Sequence, residues 1–324
     1  MTTLVFTHAS SIAHETPPGH PERVDRIKAV NAVIASPALR GIARRDAPLG
    51  SEEAVLLAHT PELLTRIKSL SPESGFEYID ADTVMGPQTL EAALRAVGAA
   101  TAGVDAVFEG KADNVFCAMR PPGHHAEHNR AMGFCFFNQV AIAAHHARKH
   151  HGAERVAVVD FDVHHGNGTQ DIFWSDADLF YGSTHQMPLY PGSGAPSETG
   201  VGNIFNAPLR AGDGGVAFRA AMERIILPAL STFNPDLILV SAGFDAHERD
   251  PLGSLQLTEE DFSWITLRLM EIAEEHCGGR VVSVLEGGYA LQGLAGSVGV
   301  HVHALLHGNQ GFVSGPDDAE EEEI

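Results

Sequence analysis

Histidines and carboxylates gather at a few points of this chain in spacings that suit metal-assisted hydrolysis. The densest is Asp160-Phe-Asp-Val-His-His-Gly-Asn-Gly168, which follows the apolar run Val156-Ala-Val-Val159. Alternate residues of an extended segment point the same way. Asp160, Asp162 and His164 therefore share one side, and Phe161, Val163 and His165 the other. An unpaired buried carboxylate is costly, whereas a carboxylate and an imidazole on one side can close on a cation. Asp162 and His164, with Asp245 from a distant strand end, supply two oxygens and one nitrogen. Three protein ligands leave a position open for water or substrate, which is the catalytic pattern for zinc. Zinc is the first choice, and Fe(II) or Co(II) also suits such a donor set. A cation held there lowers the pKa of its water and polarises a carbonyl.

His124 and His125 follow Pro-Pro-Gly, a stiff approach that fixes their direction. Adjacent histidines can serve as base and as electrostatic partner or acid when each ring is oriented from behind. Asp160 and Asn167 are candidates for that orienting role. A carboxylate favours imidazolium and an amide does not, so the two histidines should titrate differently. Tyr289 follows two glycines, and its phenol could donate to a developing oxyanion. Each residue alone has a plainer reading: Asp245 as a helix cap, His164 as a satisfied loop histidine, the pair as structural, Tyr289 as a half-buried loop tyrosine. Convergence on one rim is what would separate the two readings.

A parallel sheet could supply that convergence. Leu4-Val-Phe6, Asn114–Ala118, Val156–Val159, Leu179–Ser183, Leu237–Val240 and Arg280–Leu285 read as strands. Between them lie helical stretches: one opened by Pro21, two short ones over residues 51–70, then Gln88–Phe108, Gln139–Lys149 and Val216–Leu230. Two more follow, one capped at Thr258 and running to about His276, and one over residues 290–307. Strand and helix alternate without a linker, which predicts one α/β domain, a parallel sheet with helices on both faces. Such sheets bind ligands beyond the carboxyl ends of their strands, where His124-His125, Asp160 to Asn167, Asp245 and Tyr289 all fall. Gly166-Asn-Gly168 reads as a turn that lets backbone pass close to whatever is bound. The Gly/Pro-rich stretch 186–215 is long enough to be functional. His145-His146 sits among small and basic residues and reads as surface. No nucleophile elbow, P-loop or dinucleotide fingerprint follows a strand.

The 324 residues can bury a large core, and the net charge of -21 argues against binding nucleic acid or an anionic membrane. An acidic surface modestly favours cationic substrates. Part of that charge is Asp317-Asp-Ala-Glu-Glu-Glu-Glu323, so residues 1–312 are expected to form the catalytic domain and residues 313–324 a disordered acidic tail. Three cysteines, odd in number and without a CxxC pair, fit a reducing cytoplasm, and no signal or long apolar span is read. An oligomer is compatible with all of this.

Taken together, Arg120-Pro-Pro-Gly-His-His-Ala126, Gly133-Phe-Cys-Phe-Phe-Asn138, Asp160 to Gln170, Ser241-Ala-Gly-Phe-Asp245 and Glu286-Gly-Gly-Tyr289 resemble the histone deacetylase family, with His20-Pro-Glu-Arg23 upstream. The resemblance covers roughly residues 4–307, and Asn167 resembles the class II branch and its bacterial amidohydrolase relatives. It implies the arginase–deacetylase fold, a single domain with a parallel sheet of about eight strands. It also implies zinc on Asp162, His164 and Asp245, with His125 as general base and then acid and His124 as its electrostatic partner. Asp160 should lie behind His124 and Asn167 behind His125, with Tyr289 polarising the scissile carbonyl. Gly133, Phe134 and Tyr190 resemble the tunnel walls, and Arg26 the arginine near an internal acetate-release channel. A structural potassium ion is implied on backbone oxygens of Asp160, Asp162, His164 and Thr184 and the hydroxyl of Ser183. The expected activity is removal of a short acyl group, such as acetyl, from acyl-lysine in a peptide or protein. Leu252 near the tunnel mouth leans that way, while Asp82 could steer a cation or orient a peptide backbone. Acetylpolyamine hydrolysis is the alternative. A non-catalytic metal or acyl-ligand binding module is disfavoured by the intact histidine pair and Tyr289. Arginase-like two-metal chemistry needs more aspartates than this site offers.

Overall fold

A computed structural model describes residues 1–308; the acidic tail expected over residues 313–324, and the last residues of the expected domain, lie outside the described residues. The strands are β1 (Thr3–Thr7), β2 (Ala43–Asp46), the short β3 (Glu77–Tyr78) and β4 (Val84–Met85), β5 (Asn114–Cys117) and β6 (Val156–Asp160). They continue with β7 (Leu179–Gln186), β8 (Ile204–Leu209), β9 (Leu237–Ala242) and β10 (Val281–Leu285). Eight of them form one sheet in the order β2-β1-β5-β10-β9-β6-β7-β8, and every pairing in it is parallel. β3 and β4 make a separate antiparallel ribbon.

The helices are α1 (Ser10–Ala13), α2 (Val24–Ile34), α3 (Glu52–Val55), α4 (Pro61–Ser69), α5 (Thr89–Phe108) and α6 (Gln139–His151). After them come α7 (Asn167–Phe173), α8 (Gly215–Ala221), α9 (Leu227–Phe233), α10 (Glu259–Cys277) and α11 (Leu291–His307). The period-two alternation of β6 explains why both faces are covered. Val156 and Val158 join a core with Val97 of α5 and Val140 of α6. Ala157 and Val159 join a second core with Ile27 of α2, Phe262 of α10 and Val298 of α11. A reciprocal capping box between Thr258 and Asp261 starts α10 where the sequence expects it.

Several boundaries differ from the sequence reading. Two sheet strands, the edge strands β2 and β8, were not expected: Ala43-Arg-Arg-Asp46 is exposed throughout and carries no apolar run, and in β8 Asn206 and Pro208 break up the apolar residues. α2 begins at Val24 rather than at Pro21 because Glu22 turns inward, buried between Arg26 and Arg120. The helix expected over Val216–Leu230 is interrupted by a π turn at Met222–Ile226. Asn167 is the first residue of α7, not part of a free turn. His145 is half-buried and edge-on to Phe173, and His146 is half-buried against Asp105, so the plain surface reading of that pair does not hold.

The four strands whose ends carry the candidate residues, β5, β10, β9 and β6, are neighbours in the sheet. Their register aligns Cys117 with Val284, Leu285 with Ala242, and Ser241 with Asp160. The following loops therefore leave from one rim.

Candidate active site

β6 stops at Asp160, so Asp162 and His164 lie on the loop beyond it, yet the alternation persists: Phe161 and Val163 enter the core while Asp162 and His164 face Asp245. His164 Nδ1 is 3.1 Å from both Asp162 Oδ1 and Asp245 Oδ2. Backbone amides hold the two carboxylates in place. Val163 N–H donates to Asp245 Oδ1 at 2.8 Å, and Gly287 N–H to Asp162 Oδ2 at 2.8 Å. Burial opposes a charge on His164, but the two carboxylates outweigh it and raise its pKa to about 10. Burial beside Asp162 pushes the Asp245 carboxyl up to about 7. The three buried donors bring their ligand atoms within 4.8 Å of one another, and the nitrogen and two carboxylate oxygens are a zinc-type set.

The histidine pair is differentiated from behind. His124 Nδ1 is 2.9 Å from Asp160 Oδ2, and Nε2 is 3.8 Å from Asp162 Oδ2. Burial disfavours its charge, but Asp162 and Asp160 prevail and hold its pKa well above the ordinary value. His125 Nδ1 is 2.8 Å from Asn167 Oδ1, and the amide is oriented by its own donation to Glu127 Oε1 at 2.8 Å. Because that amide oxygen accepts, Nδ1 carries the hydrogen and Nε2 keeps a lone pair. Burial, then the nearby His124 and His164, depress the His125 pKa well below the ordinary value. The two pKa values are thus pushed apart: nearby carboxylates raise that of His124, while burial and the neighbouring imidazoles lower that of His125.

A cavity of about 260 Å³ opens above these groups, lined by His125, His164, Tyr289, Phe134, Tyr190 and Leu252 together with Gly133, Asp82 and Leu189. Phe134 stands edge-on to Tyr289 with ring centroids 6.0 Å apart, and Tyr190 edge-on to His125 at 5.1 Å. Gly133 has φ +58, and a Cβ there would come within 2.6 Å of the His125 ring. Asp82 Oδ1 accepts from Thr83, whose hydroxyl oxygen accepts from Phe134 N–H. Burial keeps the Tyr289 phenol protonated, with its pKa well above 10 even though the Arg26 guanidinium, 4.8 Å from the ring centroid, pulls the other way.

Other expected residues are placed as follows. Arg26 is fully buried and donates to the carbonyls of Glu286 and Gly288 behind Tyr289. Ser183 pairs with Asp160 across β6 and β7, and its hydroxyl lies 2.9 Å from His185 Nδ1; Thr184 is buried beside it. His165 is buried between Ser193 and Gln170, away from the cavity, and burial lowers its pKa to about 3.

The sequence reading gave no role to three further residues that hold this site. Glu286 Oε2 accepts from the backbone N–H of Gly123 and His124, at 2.7 and 3.2 Å, and so fixes the entry to the histidine pair. Asp250 Oδ2 accepts from Tyr289 N–H at 2.7 Å and Ala290 N–H at 3.1 Å. The Tyr181 hydroxyl donates to Asp160 at 3.1 Å. Glu286 opens the Glu286-Gly-Gly-Tyr289 motif and Asp250 lies two residues before Leu252, but nothing in the spacing says which amides they meet. Tyr181 reads as an ordinary strand residue.

A model of the histone deacetylase domain matches residues 20–305. The histone deacetylase-like amidohydrolase of Pseudomonas aeruginosa is 45% identical over 251 residues, 76% of this chain and 66% of that protein. A probable deacetylase of Archaeoglobus fulgidus is 37% identical over 315 residues, 95% of this chain and 87% of that one. The crystal structure of the HDA15 HD domain superposes with a TM-score of 0.89 at 34% identity, over 94% of this chain and 88% of that chain.

Proposed function

The chain belongs to the histone deacetylase family of amidohydrolases, and from that premise we propose that it removes a short acyl group from acyl-lysine side chains with zinc held by Asp162, His164 and Asp245. The observation that carries this reading is the shared cavity: His164 of the donor set, His125, the Tyr289 phenol and the aromatic walls all line one space. Bound there, the cation acidifies a water and polarises the acyl carbonyl. His125 takes the proton of the attacking water on Nε2 and returns it to the leaving amine. His124, kept as imidazolium by Asp160 and Asp162, stabilises negative charge beside it. Tyr289 donates its O–H to the developing oxyanion. Phe134 and Tyr190 sheath the methylenes of the substrate stem and Gly133 leaves room for them. Leu252 gives an apolar lip, and Asp82 accepts from the peptide backbone. The same reading extends to potassium on the backbone of Asp160, Asp162, His164 and Thr184 and on Ser183, of which the β6–β7 pairing sets Asp160 opposite Ser183.

Asp82 in the cavity lining favours a second reading, hydrolysis of acetylated polyamines, because a carboxylate there attracts a cationic chain. Comparing kcat/KM for acetyl-lysine peptides and acetylated polyamines on the zinc-loaded enzyme separates the two. The peptide is expected to be the better substrate. A large polyamine preference overturns that assignment, and no hydrolysis of either amide overturns the enzymatic reading.

A further inference from the structure

A second convergence of imidazoles and a carboxylate lies far from the cavity, where α5 packs beside α6. Asp105 of α5 places Oδ1 2.7 Å from Nε2 of His146 and 2.7 Å from Nε2 of His151, both on α6. The three ligand atoms fall within 4.8 Å of one another, which among the described residues only the Asp162, His164 and Asp245 set also achieves. Asp105 is held as carboxylate, because the two histidines lower its pKa although burial opposes them.

Three independent features make this more than two N–H donors sharing an acceptor. First, the His151 ring is pre-set: Phe108 stacks on it at 4.9 Å with 17° between planes, and the Arg280 guanidinium lies over the Phe108 ring, 4.9 Å from its centroid. Second, His151 is the last residue of α6, in the turn where the helix dipole is negative and favours a cation. Third, the side chains are accessible, with 43% of Asp105, 14% of His146 and 16% of His151 exposed, so water can complete a coordination shell. Tetrahedral coordination at about 2.0–2.1 Å sets donors roughly 3.3 Å apart, so a small rotamer adjustment opens the present cluster to a metal.

We propose that Asp105, His146 and His151 form a half-buried site for a borderline divalent transition ion, zinc first, that cross-links α5 to α6. The site stands apart from the amide-hydrolysing cavity and depends on none of its residues. Binding requires both Nε2 lone pairs, so each ring keeps its hydrogen on Nδ1, and the proton that Nε2 shared with Asp105 passes to Nδ1 through solvent or is released to solvent. One carboxylate and two imidazole metal bonds form, with solvent taking the remaining position.

The test uses the full chain carrying one equivalent of zinc, titrated further with zinc alone in equilibrium dialysis and followed by thermal unfolding. Wild type is expected to take up a second equivalent and to gain thermal stability with it. Asp105→Asn, and the double variant His146→Ala/His151→Ala, should lose both effects while retaining the first equivalent and amide hydrolysis. Zinc-edge anomalous diffraction from wild-type crystals reads the same point without any substitution: a peak between the three side chains is expected. A variant that still binds the second equivalent, or a wild-type map with density only in the cavity, overturns the proposal.

Discussion

His124 and His125 have ring centroids 4.0 Å apart, yet their surroundings shift their pKa values in opposite directions: Asp162 and Asp160 raise that of His124, while burial, His124 and His164 lower that of His125. Asp160 keeps a proton on His124, and Asn167 satisfies the Nδ1–H of His125 without adding charge. Such a pair supplies a lone pair and a positive charge side by side at neutral pH. Two substitutions separate chemistry from metal binding. Tyr289→Phe should lower kcat by about 10²–10³-fold, the usual effect of removing one oxyanion donor. His125→Ala should cost about 10²–10⁴-fold, the usual range for a general acid–base group. Neither touches the donor set, so zinc content by elemental analysis should match wild type. Wild-type turnover in either variant would remove that residue from the reaction.

Loops rather than regular elements bring the carboxylates together, and two glycines permit it. A Cβ on Gly243 would lie 2.0 Å from Asp162 Oδ2, and one on Gly287 would lie 2.1 Å from Asp245 Oδ2. Gly287→Ala is therefore expected to displace a ligand while the sheet behind it stays folded. Zinc affinity by competition with a chelator should fall sharply, with little change in far-ultraviolet circular dichroism; unchanged affinity would show that the loop can yield. This level also separates what the sequence displays from what it hides. Apolar runs such as Val156–Val159 and Leu237–Val240 announce buried strands because both their faces are covered. β2 and β8 pair on one side only and need no such run. The clustering of Asp162, His164 and Asp245 was legible because all three fall just beyond strand ends. The amides satisfied by Glu286 and Asp250 depend on loop conformation, which local spacing does not encode. His146 looked like a surface residue because its partner, Asp105, is on another helix.

Across the whole molecule, buried histidines tie stability to pH. His301 lies between the Thr266 and Ser283 hydroxyls, 2.7 and 2.8 Å away, and burial lowers its pKa from 6.5 to about 3. His59, between the Glu127 carbonyl and Asn138 N–H, is lowered by burial to about 4. The unfolded chain protonates these rings near pH 6.5, whereas the folded chain refuses the proton until much lower pH. Their contribution is thus complete above pH 6.5 and declines below it, by about 1.4 kcal/mol per pH unit for each ring. In His301→Gln, urea unfolding measured from pH 7 down to 4.5 should show a shallower decline than wild type; parallel curves would remove His301 from the effect. At the margins of the sheet, Arg44 and Arg45 stand on β2 and Pro208 interrupts the donors of β8. Charge at one edge and a missing N–H at the other are devices that discourage a foreign strand from adding on. An all-parallel sheet with two such margins resists growth into fibrils, even where its apolar interior strands would make good templates.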